Sequence, residues 1–124
     1  MWYTVNKGGD FMFAQSQLQT ILSTIKREAE SIFGDKLVDV ILYGSYARGD
    51  NDDDSDIDVM IKVDIEKTEF SKYRWKISEV MSNLSLEYDI LISTHLQDKY
   101  TFEKYKNAVP FYQNVANEGV SAYA

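Results

Sequence analysis

Six aspartates crowd into the nine residues from Asp50 to Asp58, with no basic residue among them. Two of these, Asp56 and Asp58, are separated by one residue and open a β-branched run, Ile57 to Val63 (IDVMIKV). A strand alternates its side chains, so both carboxylates share one face while Ile57 points into the core. Carboxylates held together repel unless a cation lies between them. Paired hard oxygens suit Mg²⁺, which keeps waters and shares its shell with phosphates. Upstream, Gly44-Ser45 directly follows a second β-branched run, Leu37 to Tyr43 (LVDVILY). Glycine lets the backbone turn sharply and lets a ligand approach closely. Ser45 offers a hydroxyl and an N–H at the start of the Tyr46–Gly49 turn, and such N–H groups attract phosphate. The pair suits the outer phosphates of a nucleotide, bridged through metal to Asp56 and Asp58. A further acid, Asp89, falls in the run Tyr88 to Ile92 (YDILI), which reads as a third strand. A lone aspartate in a buried strand is costly unless paired or metal-bound. Beside the second strand, Asp89 would complete a three-carboxylate site, or accept a hydroxyl proton as a general base. Without metal, such crowding raises carboxyl pKa values.

These residues need a frame. Leu18, Ile21, Leu22, Ile25, Ala29, Ile32 and Phe33 recur at helical spacing, predicting a helix from about Ala14 to Phe33, with Gly34 as its C-cap. Phe70, Tyr73, Ile77, Val80, Met81 and Leu84 make a second helical stripe. A helix over Tyr100–Lys106 and another opened by Pro110, running to about Asn117 and closed by Gly119, complete the reading. The order is helix, strand, loop, strand, helix, strand, then one or two helices. This is an α+β arrangement: a small mixed sheet with helices packed on it. Residues 1–13 read as an N-terminal extension, with a turn at Asn6–Asp10, and residues 14–124 as a single domain. Met12 is an alternative start.

Other readings of the same residues fail or are blander. An EF-hand loop from Asp50 would place Ser55 where Gly belongs and Ile61 where Glu belongs. A Walker A loop from Gly44 to Gly49 would have Asp50 and Asn51 in place of Lys and Ser/Thr. Arg48-Gly49-Asp50 as an adhesion tripeptide is too short a match to carry weight. Asp50, Asp52, Asp53 and Asp54 read as a solvated acidic loop. His95 has no second histidine to join it and reads as structural or exposed. Tyr46, Trp75, Tyr88, Tyr100, Phe102, Tyr105, Phe111 and Tyr112 are expected mostly in the core, with some on a partner surface.

Composition narrows the function classes. Apolar residues make up 44% of the 124 positions, enough for one core. Cysteine is absent, which excludes disulfides, zinc-thiolate sites and thiol catalysis. The formal net charge is −7, of which the Asp50–Asp58 segment supplies six charges. That weighs against general binding to nucleic acid or anionic membrane. No apolar run is long enough to span a bilayer and no signal peptide is evident, so a cytoplasmic location is expected.

The stretch GSYARGDNDDDSDIDVMIKV resembles the signature of the DNA polymerase β-type nucleotidyltransferase superfamily: Gly-Ser, about ten residues, Asp-x-Asp, and a later aspartate in a strand. Ten residues separate Ser45 from Asp56 here. The likeness is nearest to the minimal nucleotidyltransferases encoded beside HEPN-domain ribonuclease toxins, and the ending PFYQNVANEGVSAY is similar to theirs. The resemblance implies a nucleotidyltransferase core in which Gly44 and Ser45 hold the β- and γ-phosphates of ATP. Asp56 and Asp58 would bind two Mg²⁺ ions, with Asp89 completing the site. Arg48 matches the arginine of the group's Gly-Ser-x-Ala-Arg-Gly pattern, as a phosphate or partner contact. It further implies an antitoxin that transfers AMP from ATP to a tyrosine hydroxyl of its HEPN toxin, releasing pyrophosphate. Two other readings stand beside it: a non-catalytic antitoxin acting by occlusion, and a standalone enzyme acting on a small molecule or an RNA end. The chain itself lacks the Arg-x₄₋₆-His arrangement of a HEPN ribonuclease. Homo- or hetero-oligomerisation stays open.

Overall fold

A computed structural model describes residues 12–123, with the side chains of residues 12–15 excepted. The turn expected at Asn6–Asp10 lies outside the described residues. The elements in chain order are α1 (Met12–Phe33), a 3₁₀ turn (Gly34–Lys36), β1 (Leu37–Tyr43), α2 (Ser45–Arg48), β2 (Ile57–Val63), a second 3₁₀ turn (Lys67–Glu69), α3 (Ser71–Tyr88), β3 (Ile92–Asp98), α4 (Lys99–Tyr105), α5 (Pro110–Glu118) and β4 (Val120–Ser121).

The four strands form one mixed sheet in the order β3-β2-β1-β4. β1 runs antiparallel to β2 and β4, and β2 runs parallel to β3. A parallel neighbour needs a crossover, and α3 supplies it. One face of the sheet carries Val40, Leu42, Ile57, Val59, Ile61, Val63, Ile92 and Leu96, buried beneath α1 and α3. The expected stripe of α1 forms the other half of this core, from Leu18 to Phe33. The opposite face carries Ile41 and Met60, covered by Phe102 of α4 and Val115 of α5. Since β2 is covered on both faces, its apolar positions run nearly continuously, broken by Asp58 and Lys62.

The tail follows its local rules. Val109 is extended, as a residue before proline must be, and Pro110 occupies the first turn of α5. Asp98 caps α4 by accepting a 2.8 Å bond from the Thr101 amide. The short β4 lay below what the sequence pattern shows. It is two residues long and is held by pairing with Ile41 and Leu42.

The third strand is a correction. It is Ile92–Asp98, not Tyr88–Ile92. The helix runs on through Leu84-Ser85-Leu86-Glu87, residues with no reason to stop a helix, and ends at Tyr88. Asp89 then takes the left-handed conformation, φ 51°, as the C-cap, and its amide bonds back to the Ser85 carbonyl. Aspartate is among the few residues that tolerate that region. β3 is hard to read because its second face bears Ser93, His95 and Gln97 rather than apolar side chains. Gln97 is buried because its amide is satisfied: it bonds His95 at 2.8 Å and donates toward Asp98.

The aromatic expectation also needs correcting. Of the eight residues expected mostly in the core, Phe102 is buried, whereas Trp75, Tyr100, Tyr105 and Phe111 are exposed. No helix among the described residues is long and apolar enough to cross a membrane.

Candidate active site

Gly44 ends β1 with φ 77° and ψ −156°, a region open essentially to glycine alone. The chain reverses there into the single turn of α2. Its carbonyl accepts from the amides of Ala47 and Arg48, both at 3.1 Å. Gly49, also at positive φ, closes the turn by donating to the Ser45 carbonyl at 2.9 Å. The Gly-Ser pair thus sits on a tight strand-to-helix corner, with the Ser45 amide ahead of the first intrahelical donors.

The β1–β2 register places this corner against the carboxylates. Tyr43 pairs with Asp58, so Gly44 stands next to the Asp58 side chain. A Cβ built on Gly44 would overlap Asp58 Oδ2 and lie 3.3 Å from its Cγ. This close approach, not only the turn, explains the glycine. Ile57 is buried and Asp58 half-buried on the opposite side, as strand alternation requires. The Asp58 carboxyl is held above its ordinary range, first by burial and then by the Asp56 charge, while the Arg48 guanidinium pulls it back down. Asp56 and Asp58 are therefore close enough to repel. Burial, and then the Asp58 charge, also raise the Tyr43 hydroxyl. Two carboxylates one residue apart, Asp58 partly desolvated, beside the Gly44-Ser45 corner are hard oxygen donors that fit a divalent cation of the Mg²⁺ type, which would relieve their repulsion.

Asp89 does not join them. Among the described residues no group of three His, Asp or Glu side chains is assembled that could hold a metal ion. As the cap of α3, Asp89 is exposed rather than buried in a strand. It lies at the same end of the sheet: β2 and β3 are parallel, Ile57 pairs with Ile92, and the Ile57 amide donates to the Leu91 carbonyl at 3.0 Å.

Arg48 projects from α2 into solvent and is held by two carboxylates, Asp50 at 3.1 Å and Glu118 of α5 at 3.3 Å. These contacts raise its pKa further, the Asp50 bond most. The acidic loop is exposed, as expected, but it is built. Asp52 accepts from the Asp54 amide at 2.9 Å and from the Ser55 hydroxyl at 3.2 Å, folding the loop into an Asx-type turn. Within the run of aspartates, Asp50 thus pairs with Arg48 and Asp52 scaffolds the turn, apart from the Asp56 and Asp58 pair.

Sequence reasoning missed a ledge on the same sheet face. Phe111 of α5 packs edge-on against Tyr43 at 5.6 Å and against His95 at 5.2 Å between ring centroids. Tyr43 is the register partner of Asp58, so the ledge borders the carboxylates. Phe111 is 36% exposed, leaving ring surface for a planar ligand or an incoming side chain. The strand parity of Tyr43 could have suggested its half of the ledge. Nothing local to α5 indicated where Phe111 would land.

Comparison with known proteins identifies the family and the fold. The family model described as a nucleotidyltransferase domain matches residues 22–115. A Methanocaldococcus jannaschii protein named "Putative protein adenylyltransferase MJ0141" is 47% identical over 79 residues, covering 64% of this chain and 78% of that one. A second from the same organism, "Putative protein adenylyltransferase MJ0604", is 31% identical over 94 residues, covering 76% and 86% respectively. Among solved structures, a nucleotidyltransferase of Sulfolobus solfataricus, itself assigned only putatively, superposes with a TM-score of 0.59 at 23% identity. It covers 94% of this chain and 90% of that one, a likeness of fold.

Proposed function

The chain belongs to the nucleotidyltransferase domain family and is a nucleotidyl-transferring enzyme; on that premise we propose that it transfers AMP from ATP to a hydroxyl of a partner protein. The observation that carries this reading is the apposition of Gly44 to Asp58 with Asp56 alongside. The names of the two archaeal relatives support a protein acceptor.

In this reading the Gly44-Ser45 corner receives the β- and γ-phosphates of ATP. Gly44 keeps the backbone clear of Asp58, and Ser45 supplies a hydroxyl and an N–H. Arg48 reaches the phosphates or the partner, exchanging its hold on Asp50 and Glu118. Asp56 and Asp58 would hold Mg²⁺, which when bound would lower the pKa of the attacking hydroxyl and stabilise the leaving pyrophosphate. Asp89 stands apart from the pair at the same end of the sheet, and in this reading it is the third acid, which would accept the hydroxyl proton. The Phe111–Tyr43 ledge orients the adenine or the incoming aromatic ring. The Gly-Ser-x-Ala-Arg-Gly resemblance extends the proposal to its partner: a HEPN-domain toxin modified on tyrosine, with this chain as its antitoxin.

Exposed Tyr100 and Tyr105 favour a second reading, in which tight occlusion of the toxin is the main effect. One experiment separates the two. The chain is incubated with α-labelled ATP, Mg²⁺ and the product of the adjacent gene. Label on that protein, lost in the Asp56→Asn/Asp58→Asn double variant, supports AMP transfer. Full neutralisation by the double variant, with no label transferred by the wild type, establishes occlusion. Label reaching only a small molecule or an RNA end would defeat the protein-acceptor reading.

A further inference from the structure

β3 leaves its outer edge unpaired, and we propose that the groove along it binds an extended segment of a partner protein, added as a further strand and anchored by an acidic side chain. β3 is last in the sheet order, with β2 on one side and no described strand on the other. The Ile57 amide donates to the Leu91 carbonyl, and the parallel register runs on from there. Leu91, Ser93, His95 and Gln97 therefore turn their backbone groups to β2, while Ile92, Thr94 and Leu96 turn theirs outward. Such a row of free donors and acceptors is a template for another main chain.

The space beside this edge has room for one. A cleft of about 400 Å³ lies between α3 and β3, lined by Ile77 and Met81 and by the exposed Leu91. Its helical wall carries Ser78, Ser82 and Ser85, about one turn apart, whose small side chains leave the edge open. A second cavity, of about 270 Å³, is lined by Lys67, Arg74, His95 and Tyr112. Arg74 and Leu96 line both, so one groove follows β3 from Ile92 to Gln97, about 20 Å at strand spacing.

Charge selects the occupant. The chain carries a formal charge of −7, yet no acid lines either cavity. Neither Lys67 nor Arg74 makes an ion pair among the described residues. Glu66 lines neither cavity, and Glu69 is held by Lys72 at 2.6 Å. The two cations suit a carboxylate of the added strand near Leu96, while the cleft takes its apolar side chains. A nucleic acid lacks the alternating amides and carbonyls that this edge pairs with, and the net charge repels it. A second copy's β3 brings no free acid, since its one carboxylate, Asp98, is buried and caps α4.

Selection of random peptides displayed on phage, with the full chain as bait, tests this. The enriched sequences should set β-branched residues at alternate positions and share an acid, and Arg74→Glu as bait should lose them. A synthetic copy of one such sequence should protect the Thr94 and Leu96 amides from hydrogen exchange. Replacing its acid by the matching amide should weaken binding at least about tenfold. Thr94→Pro removes an outward N–H and spares the ladder to β2, so it should abolish binding with the fold kept, which circular dichroism checks. Arg74 is exposed, so Arg74→Glu decides the matter if Thr94→Pro does not fold. No enrichment, sequences without a shared acid, or unchanged binding to either folded variant overturns the proposal. So does equal protection of these amides before any peptide is added, which would assign the edge to the chain itself or to a second copy.

Discussion

Replacing Gly44 by alanine should damage the site through two separable effects. The first is conformational. At φ 77° and ψ −156° a residue with a side chain is strained, at a cost of about 1–3 kcal/mol. For a chain of this size that lowers Tm by roughly 5–15 °C. The second is contact. The new methyl would overlap Asp58 Oδ2, so the carboxylate must move. A displacement on the order of 1 Å at a reacting centre costs about 10²-fold in rate. Gly34 supplies the control. It also has positive φ, 57°, yet a Cβ there meets nothing within 4 Å. Gly34→Ala should cost about 1–2 kcal/mol of stability and leave the site alone. The assay is AMP transfer from labelled ATP at a temperature where both variants are folded, with Tm measured in parallel. If Gly44→Ala transfers at the wild-type rate, or Gly34→Ala loses as much activity, the close approach of Gly44 to Asp58 is not what the glycine is for.

Other outcomes follow from the same geometry. A non-hydrolysable ATP analogue with Mg²⁺ should raise wild-type stability by about 2.7 kcal/mol at a hundred times its Kd, and the Asp56→Asn/Asp58→Asn variant much less; scanning calorimetry measures both. Arg48→Ala removes two exposed, solvent-screened ion pairs, so Tm should move little while transfer falls; an unchanged rate would limit Arg48 to its carboxylate partners. Phe111→Leu keeps apolar volume but removes the ring beside Tyr43, and should raise KM for ATP or acceptor with kcat nearly kept in steady-state assays. Tyr123 is pushed up to about 12, first by burial and then by its hydrogen bond to Glu30. Its contribution is therefore fully present below the ordinary tyrosine range, near 10, and is lost as pH rises towards about 12. Urea titrations of wild type and Tyr123→Phe should differ most below about pH 10 and converge above it; a gap that widens with pH would contradict this.

Local features announced themselves where a single rule governed them. The stripe of α1, the β-branched runs of β1 and β2, and Pro110 at the start of α5 each follow from spacing or from a fixed dihedral. The Gly44-Ser45 corner and the Asp56–Asp58 pair could be placed because both lie at the ends of such strands. Asp89 shows where this fails. Tyr88 to Ile92 has strand-like residues, but the preceding residues prefer to continue the helix, and aspartate can cap it in the left-handed conformation. The apolar pattern of β3 is interrupted by the His95–Gln97 network, which is stable only once α5 and the neighbouring strands bury and satisfy it.

The amino-acid order alone determined which groups are available for chemistry: carboxylates two residues apart, a Gly-Ser pair at the end of a strand, no thiols, and a negative charge concentrated in one loop. These depend on covalent spacing and on the two-residue repeat of a strand, which no distant residue alters. Tertiary structure decided which groups share a space. The β1–β2 register set Gly44 against Asp58, α5 carried Phe111 to Tyr43 and Glu118 to Arg48, and the end of α3 left Asp89 outside the pair. Each of these joins residues far apart in the chain, and packing, not local preference, fixes such distances.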